Sequence, residues 1–216
     1  MADIVQEVSE EEHSVRAIAQ TTAISAPLGV LLDNQHGLFG VLEYNFFNVT
    51  VPNPLGHGLL LKSALWVPIL FAFAGWIMSY IQIVTDKYFE TAAAVTSPTP
   101  WKVLYGISMF SALYYLSGLL DYQQLLDPNT VNAILWTLAV AGYVFFDSTK
   151  AGLVLAIATA ISGPVAEIAL TSMGLYQYTH ADLLKITSWI CPIYFLGGPA
   201  VGNLARALRT RGIEVE

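Results

Sequence analysis

Six stretches of the chain are candidates for a helix crossing a hydrocarbon core, which takes about 20 mostly apolar residues, and the fourth of them is short but uninterrupted. They run over 14–33, 59–84, 101–120, 131–146, 151–173 and 187–206 and predict an all-α polytopic membrane protein, six transmembrane helices in one bundle. The first is the most diluted, since Ser14, Arg16, Gln20, Thr21, Thr22 and Ser25 interrupt it and Pro27 is expected to kink it. Such a helix needs protein neighbours more than lipid. The segment 33–58, rich in Gly, Pro and polar residues, is too polar to span; Phe39, Tyr44, Phe46 and Phe47 suit a structured interfacial loop. The last span carries Pro192, Gly197, Gly198, Pro199 and Gly202. Its small residues at Gly198 and Gly202 permit close helix approach, and its prolines are expected to bend it into a cavity wall.

Composition agrees with this pattern. Of 216 residues 55% are hydrophobic and 12% charged, with a mean hydropathy of +0.57, outside the range of soluble domains. The net charge of −7 does not point to nucleic acid, because Asp3, Glu7, Glu10, Glu11 and Glu12 crowd into an acidic N-terminal tail over 1–13. The membrane domain then covers 14–208 and a short tail 209–216. The acidic start and late first apolar segment argue against a cleaved signal or a basic transit peptide. One cysteine, Cys191, excludes an intramolecular disulfide, and no Cys/His spacing fits a metal. No cofactor is expected. With both termini on one side, Arg16, Lys87, Lys102, Lys150, Arg206, Arg209 and Arg211 gather there and only Lys62 and Lys185 lie opposite, which makes that side cytoplasmic.

Few polar groups lie inside the spans. Glu167 is the one acid well within a helix, three residues after Pro164. It reads either as part of a ligand pocket or ion path, or as a protonated side chain bonded to a neighbouring helix. Asp147, in FFDSTKAG, reads as the N-cap of the fifth helix; as a cap, Asp147→Asn would keep stability within about 1 kcal/mol. Tyr176, Gln177, Tyr178, Thr179, His180 and Asp182 cluster between the last two spans as interfacial anchors. His180 and Asp182 form an imaginable general-base pair, but no nucleophile motif accompanies them, so no enzymatic activity is expected.

Four spaced blocks carry a family resemblance. GLYQYT, SW, CPIYFLGG and VGNLARAL over 174–208 form the first, with SALWVP (63–68), MFSALYYLSGLLDY (109–122) and FFDSTKAG (145–152) in the same order. Together they resemble the Insig (insulin-induced gene) family, over most of 60–208, whereas 1–58 match poorly. The resemblance implies a six-helix membrane protein without catalysis that binds a sterol or diacylglycerol and acts on a partner membrane protein. It places Phe110 at an aromatic position tied to ligand binding and Asp147 at the acid tied to partner binding. Glu167, Pro164 and Pro199 depart from the family pattern.

The combined reading is a lipid-binding membrane regulator with Phe110 and Glu167 at the ligand and Asp147 at the partner. The other classes are an assembly subunit of a larger membrane complex and an ion-coupled transporter using Glu167. The latter would require inverted repeats, and the sequence has none. A homo-oligomer is compatible with all three. Residence in the endoplasmic reticulum is expected in a eukaryote, where Asn48-Val49-Thr50 is a glycosylation sequon, and in the plasma membrane in a bacterium.

Overall fold

A computed structural model describes the backbone of residues 2–211 and the side chains of 10–210. Helix α1 (Ala2–Phe39) is followed by strands β1 (Leu42–Tyr44), β2 (Asn48–Pro52) and β3 (Leu59–Ala64). Helices α2 (Val67–Tyr88), the short α3 (Ala93–Thr96), α4 (Pro100–Gln123), α5 (Pro128–Phe146) and α6 (Lys150–Ser172) come next. Strand β4 (Tyr176–Tyr178) leads into α7 (Ile190–Arg211). The helix starts follow local chemistry. Thr99, Asp127 and Thr149 cap α4, α5 and α6 by accepting backbone N–H bonds, and prolines open α2, α4 and α5, where a missing N–H costs nothing.

Six long helices are present, and five of them (α1 from Glu10, α2, α4, α5 and α6) are apolar and long enough to cross a membrane. Helix α7 is not among those five, because Asn203, Arg206 and Arg209 dilute its apolar run. Instead it is the axis of the bundle, packed against α1, α2, α4, α5 and α6, and most of its residues are buried. A central helix sees protein on all sides, so its polar groups can be satisfied by other helices instead of facing lipid.

Several expectations change. The acidic segment that opens the chain is helical from Ala2, continuous with the first span, while Met1 and the end of the C-terminal tail, 212–216, lie outside the described residues. The first helix passes through Pro27 and continues to Phe39, taking the start of the expected 33–58 loop with it. The remainder holds β1 and β2 joined by turns. β2 and β3 form an antiparallel hairpin from Asn48↔Ala64 to Pro52↔Leu59, so residues 59–64 belong to a strand and the second helix starts at Val67. Asn34 on α1 fastens this hairpin, accepting from Lys62 N at 2.7 Å and donating to Leu60 O at 3.1 Å. β1 pairs antiparallel with β4 in the register Leu42↔Tyr178 to Tyr44↔Tyr176.

Close helix contact occurs where the glycines allow it. A Cβ on Gly198 would lie 2.6 Å from Thr159 Oγ1 and 3.2 Å from the Leu155 carbonyl, and one on Gly197 would lie 2.9 Å from the Phe110 ring. The alternation of six long helices puts both termini on one face. The ends of α2 and α7 and the α5–α6 junction meet there, through Asp86, Arg206 and Asp147. Tags at either terminus are expected to be accessible in sealed vesicles with the cytoplasmic side out; protection of both tags would invert the orientation.

Candidate functional site: a cavity with a tyrosine-lined end

A cavity of about 310 Å³ lies between α1, α2, α4, α6 and α7, with β1 and β4 across one end. Its body is apolar. Leu28 and Leu32 of α1, Leu70, Phe71 and Ile77 of α2, Phe110 of α4 and Ile193 of α7 line it. The lining residues on α1 (Ser25, Leu28, Gly29, Leu32, Asp33) fall three and four apart and therefore share one helix face. Phe73 of α2 and Ser162 and Ala166 of α6 are lining residues that are also exposed, so the cavity opens sideways between those two helices.

The end nearest the strands is polar. Glu167 accepts from Tyr194 Oη at 2.6 Å and from the Tyr178 hydroxyl, while Tyr44 donates to Asp33. Both carboxyl groups line the cavity and both residues are only 8% exposed. Tyr114 and Tyr176 complete the phenol lining, and Trp66 packs between Tyr44 and Tyr176 at centroid distances of 5.7 and 5.8 Å. The alternation of β4 explains why Tyr176 and Tyr178 both face inward while Gln177 is exposed. Burial pushes the Tyr176 and Tyr178 phenols up, so they remain neutral donors.

Phe110 and Glu167 thus share one cavity. Glu167 bonds α7 and β4 through Tyr194 and Tyr178 and also lines the space. Asp147 lies elsewhere, near the face of the termini. Thr149 caps α6, with Oγ1 accepting from Gly152 N at 2.8 Å, which corrects the assignment of Asp147 as that cap. Asp147 instead ends α5 and accepts from Asn203 Nδ2 at 2.6 Å, Arg206 Nη1 at 2.9 Å and Thr149 N at 3.0 Å. The guanidinium also grips Asp86 with two bonds, Nε to Oδ2 at 2.8 Å and Nη2 to Oδ1 at 2.6 Å. Arg206 is 1% exposed, so this is an interior ion-pair network joining α2, α5, α6 and α7.

His180 and Asp182 are not partnered with each other. His180 Nδ1 lies 3.0 Å from Asp121, and Asp182 accepts from Ser188 N and Oγ, organising the entry to α7. Cys191 is a free thiol, and among the described residues no group of three or more His, Cys, Asp or Glu side chains is placed to hold a metal. Sequence reasoning missed Asp33, which it took for the end of a span, and the pairing of Arg206 with Asp86 and Asp147. The spacing of Asn203 and Arg206, three apart in an apolar run, was the available signal for a buried polar face.

No family model matches the chain. The insulin-induced gene 1 protein of Danio rerio is 27% identical over 154 residues, 69% of this chain, and the chain spans only 58% of that protein's length. That of Xenopus tropicalis is 29% identical over 181 residues, covering 80% of this chain and 68% of that protein. The insulin-induced gene 2 protein of Gallus gallus is 25% identical over 181 residues, covering 80% and 76%. Among solved structures, a mycobacterial Insig homologue from Mycobacterium vanbaalenii superposes with a TM-score of 0.74 at 20% identity, over 90% of this chain and 95% of that one. A cross-linked trimer of that homologue gives a TM-score of 0.73.

Proposed function

Since the chain belongs to the Insig family and is an integral membrane protein, we propose that it is a non-enzymatic regulator that holds a lipid in the central cavity and acts on a partner membrane protein. The observation that carries this reading is the cavity itself: apolar walls, a side opening between α2 and α6, and hydrogen-bonding groups confined to one end. A ligand pocket needs that division, apolar contact for affinity and a few placed polar groups for orientation. A sterol or a diacylglycerol has the matching shape, an apolar body with a hydroxyl head. The body would rest on Phe110 and the head would reach Glu167.

Asp147 enters this reading indirectly. Its carboxylate is occupied by donors of its own chain, so its influence on a partner runs through the position of the α5–α6 junction and not through a charge presented at the surface. The partner-facing surface is then the face of the termini, which Asp147 and Arg206 hold in shape. On this reading the protein would reside in the endoplasmic reticulum of a eukaryotic host or in the plasma membrane of a bacterial one. An assembly of several copies accords with the trimer of the mycobacterial homologue.

The test is lipid retention through purification, followed by native mass spectrometry. Phe110→Ala is expected to weaken binding of sterol or diacylglycerol by about 2 kcal/mol or more through lost apolar contact. Glu167→Leu is expected to weaken it by about 1 kcal/mol through the lost hydrogen bond. An ion path would reverse that order, with Glu167→Leu abolishing flux and Phe110→Ala mattering little. Delipidated protein that binds neither lipid class and shows no thermal shift with either would overturn the reading.

A further inference from the structure

The polar end of the cavity holds two acids and no base. Asp33 and Glu167 are both more than nine-tenths buried, and among the described residues neither has a Lys, Arg or His within ion-pairing distance. The bonds around them are donated by phenols, from Tyr44 to Asp33 and from Tyr178 and Tyr194 to Glu167. These donors leave acceptor capacity on both carboxyl groups for a further partner. A carboxylate in a dry site persists only beside a cation and otherwise takes up a proton, since an unpaired buried charge costs several kcal/mol.

The walls around the two acids are aromatic. Tyr44, Trp66 and Tyr176 pack in series, and Tyr178 meets Tyr176 edge to face at 5.8 Å. The faces of such rings carry partial negative charge, and cages of them attract ammonium groups. A further wall group, Ser25 Oγ, has no partner within the chain although the residue is only 5% exposed. It lies eight residues before Asp33 on the same helix face, about 12 Å along the axis, where it can meet a polar substituent partway down a ligand's chain. The arrangement of carboxylates, aromatic faces and an apolar shaft is selective. It sets no cationic side chain against an anionic head, whereas an ammonium head would meet two carboxyl groups and several aromatic rings.

We propose that the cavity binds a single-chain lipid with a protonated primary amine, its ammonium seated among Asp33, Glu167 and the tyrosines and its alkyl chain running along Phe110. This rests on the lipid-binding reading above and sets an amine in the place that reading gives to a hydroxyl head. The ammonium supplies the positive charge that the chain itself does not place there. Its three N–H bonds can be divided between the carboxylates, and entry through the gap between α2 and α6 needs only lateral movement from the bilayer.

The test is thermal shift and competitive binding on the delipidated full-length protein, with octadecylamine, dioctanoylglycerol, cholesterol and octadecanoic acid as separate probes. Octadecylamine is expected to bind most tightly and octadecanoic acid least. Glu167→Gln and Asp33→Asn, which keep the shape of the site, are each expected to lower octadecylamine affinity by about tenfold or more while changing the affinity for either neutral lipid by less than about threefold. Phe110→Ala is the control that weakens every probe. Intact melting temperatures of the variants without ligand verify that folding survives, and should one variant not fold the other alone decides. Binding of dioctanoylglycerol or cholesterol without octadecylamine would overturn the amine proposal and leave the lipid reading standing. Equal loss of all probes in Glu167→Gln and Asp33→Asn would also overturn it, as would no difference from the native protein. Failure of all four probes to bind would overturn both.

Discussion

Arg206→Leu is expected to lower stability by about 3–5 kcal/mol, the loss characteristic of removing one member of a buried ion-pair network. The change takes away two bonds to Asp86, one to Asp147 and one to Thr149 Oγ1 at 3.1 Å, and it leaves two carboxylates without a cation. At about 2–4 °C per kcal/mol for a chain of this size, melting in detergent should fall by roughly 6–20 °C. Arg206→Lys is not a rescue, because an ammonium cannot form the two-pronged grip on Asp86 while also reaching Asp147. Asp147→Asn keeps the Thr149 cap but weakens the bond to Arg206, so its cost should exceed the roughly 1 kcal/mol expected for a mere cap substitution. A combined Arg206→Met, Asp86→Asn, Asp147→Asn protein should be more stable than the sum of the single losses implies, since no charge is left unpaired. Arg206→Leu melting within a degree or two of the native protein would refute the network's structural role.

Gly198→Leu is expected to cost about 3 kcal/mol or more and to separate α6 from α7, above the usual 1–3 kcal/mol for overpacking. The first added carbon already meets Thr159 Oγ1 at 2.6 Å, and the Leu155 carbonyl behind it belongs to the backbone and cannot rotate away. Thr159 Oγ1 also donates to Tyr194 O at 2.8 Å, so pushing it aside breaks a bond between the two helices. Gly197→Ala is the instructive contrast. Its neighbour is the Phe110 ring, a side chain with freedom to turn toward the cavity, so the smaller stability loss should come with reduced lipid retention. Denaturation and lipid content measured on the same samples separate the two. Equal effects from both would mean that Phe110 is as fixed as backbone.

Hydropathy located the helices because lipid imposes a simple rule on anything it touches. It failed where protein replaces lipid. Residues 59–64, LLLKSA, are apolar enough to join the following span, but β2 pairs with them and Asn34 holds them against α1, contacts that lie beyond the reach of a local hydropathy pattern. Helix α7 counts as a span by length and can carry Asn203 and Arg206 because its neighbours supply Asp86 and Asp147. Within the site, Glu167 stood out as a lone acid in an apolar run, and Phe110 was marked by resemblance. Asp33 did not stand out, since an acid at the edge of an apolar segment is ordinary. Only the continuation of α1 to Phe39, followed by β1 folding back, turns that edge inward.

The pairing of β1 with β4 has a consequence for biosynthesis. Thr179 Oγ1 donates to the carbonyl of Gly40, 139 positions earlier in the chain, beside the Leu42↔Tyr178 pair. At about 5–20 residues per second, α1 and β1 therefore wait roughly 7–28 s for the segment that completes them. During that interval four helices are already made, yet Asp33 and Tyr44 face an unfinished wall. The polar end is completed only once β4 and Tyr194 of α7 have been made, so a chain truncated before Tyr176 should insert its early helices and still fail to bind lipid.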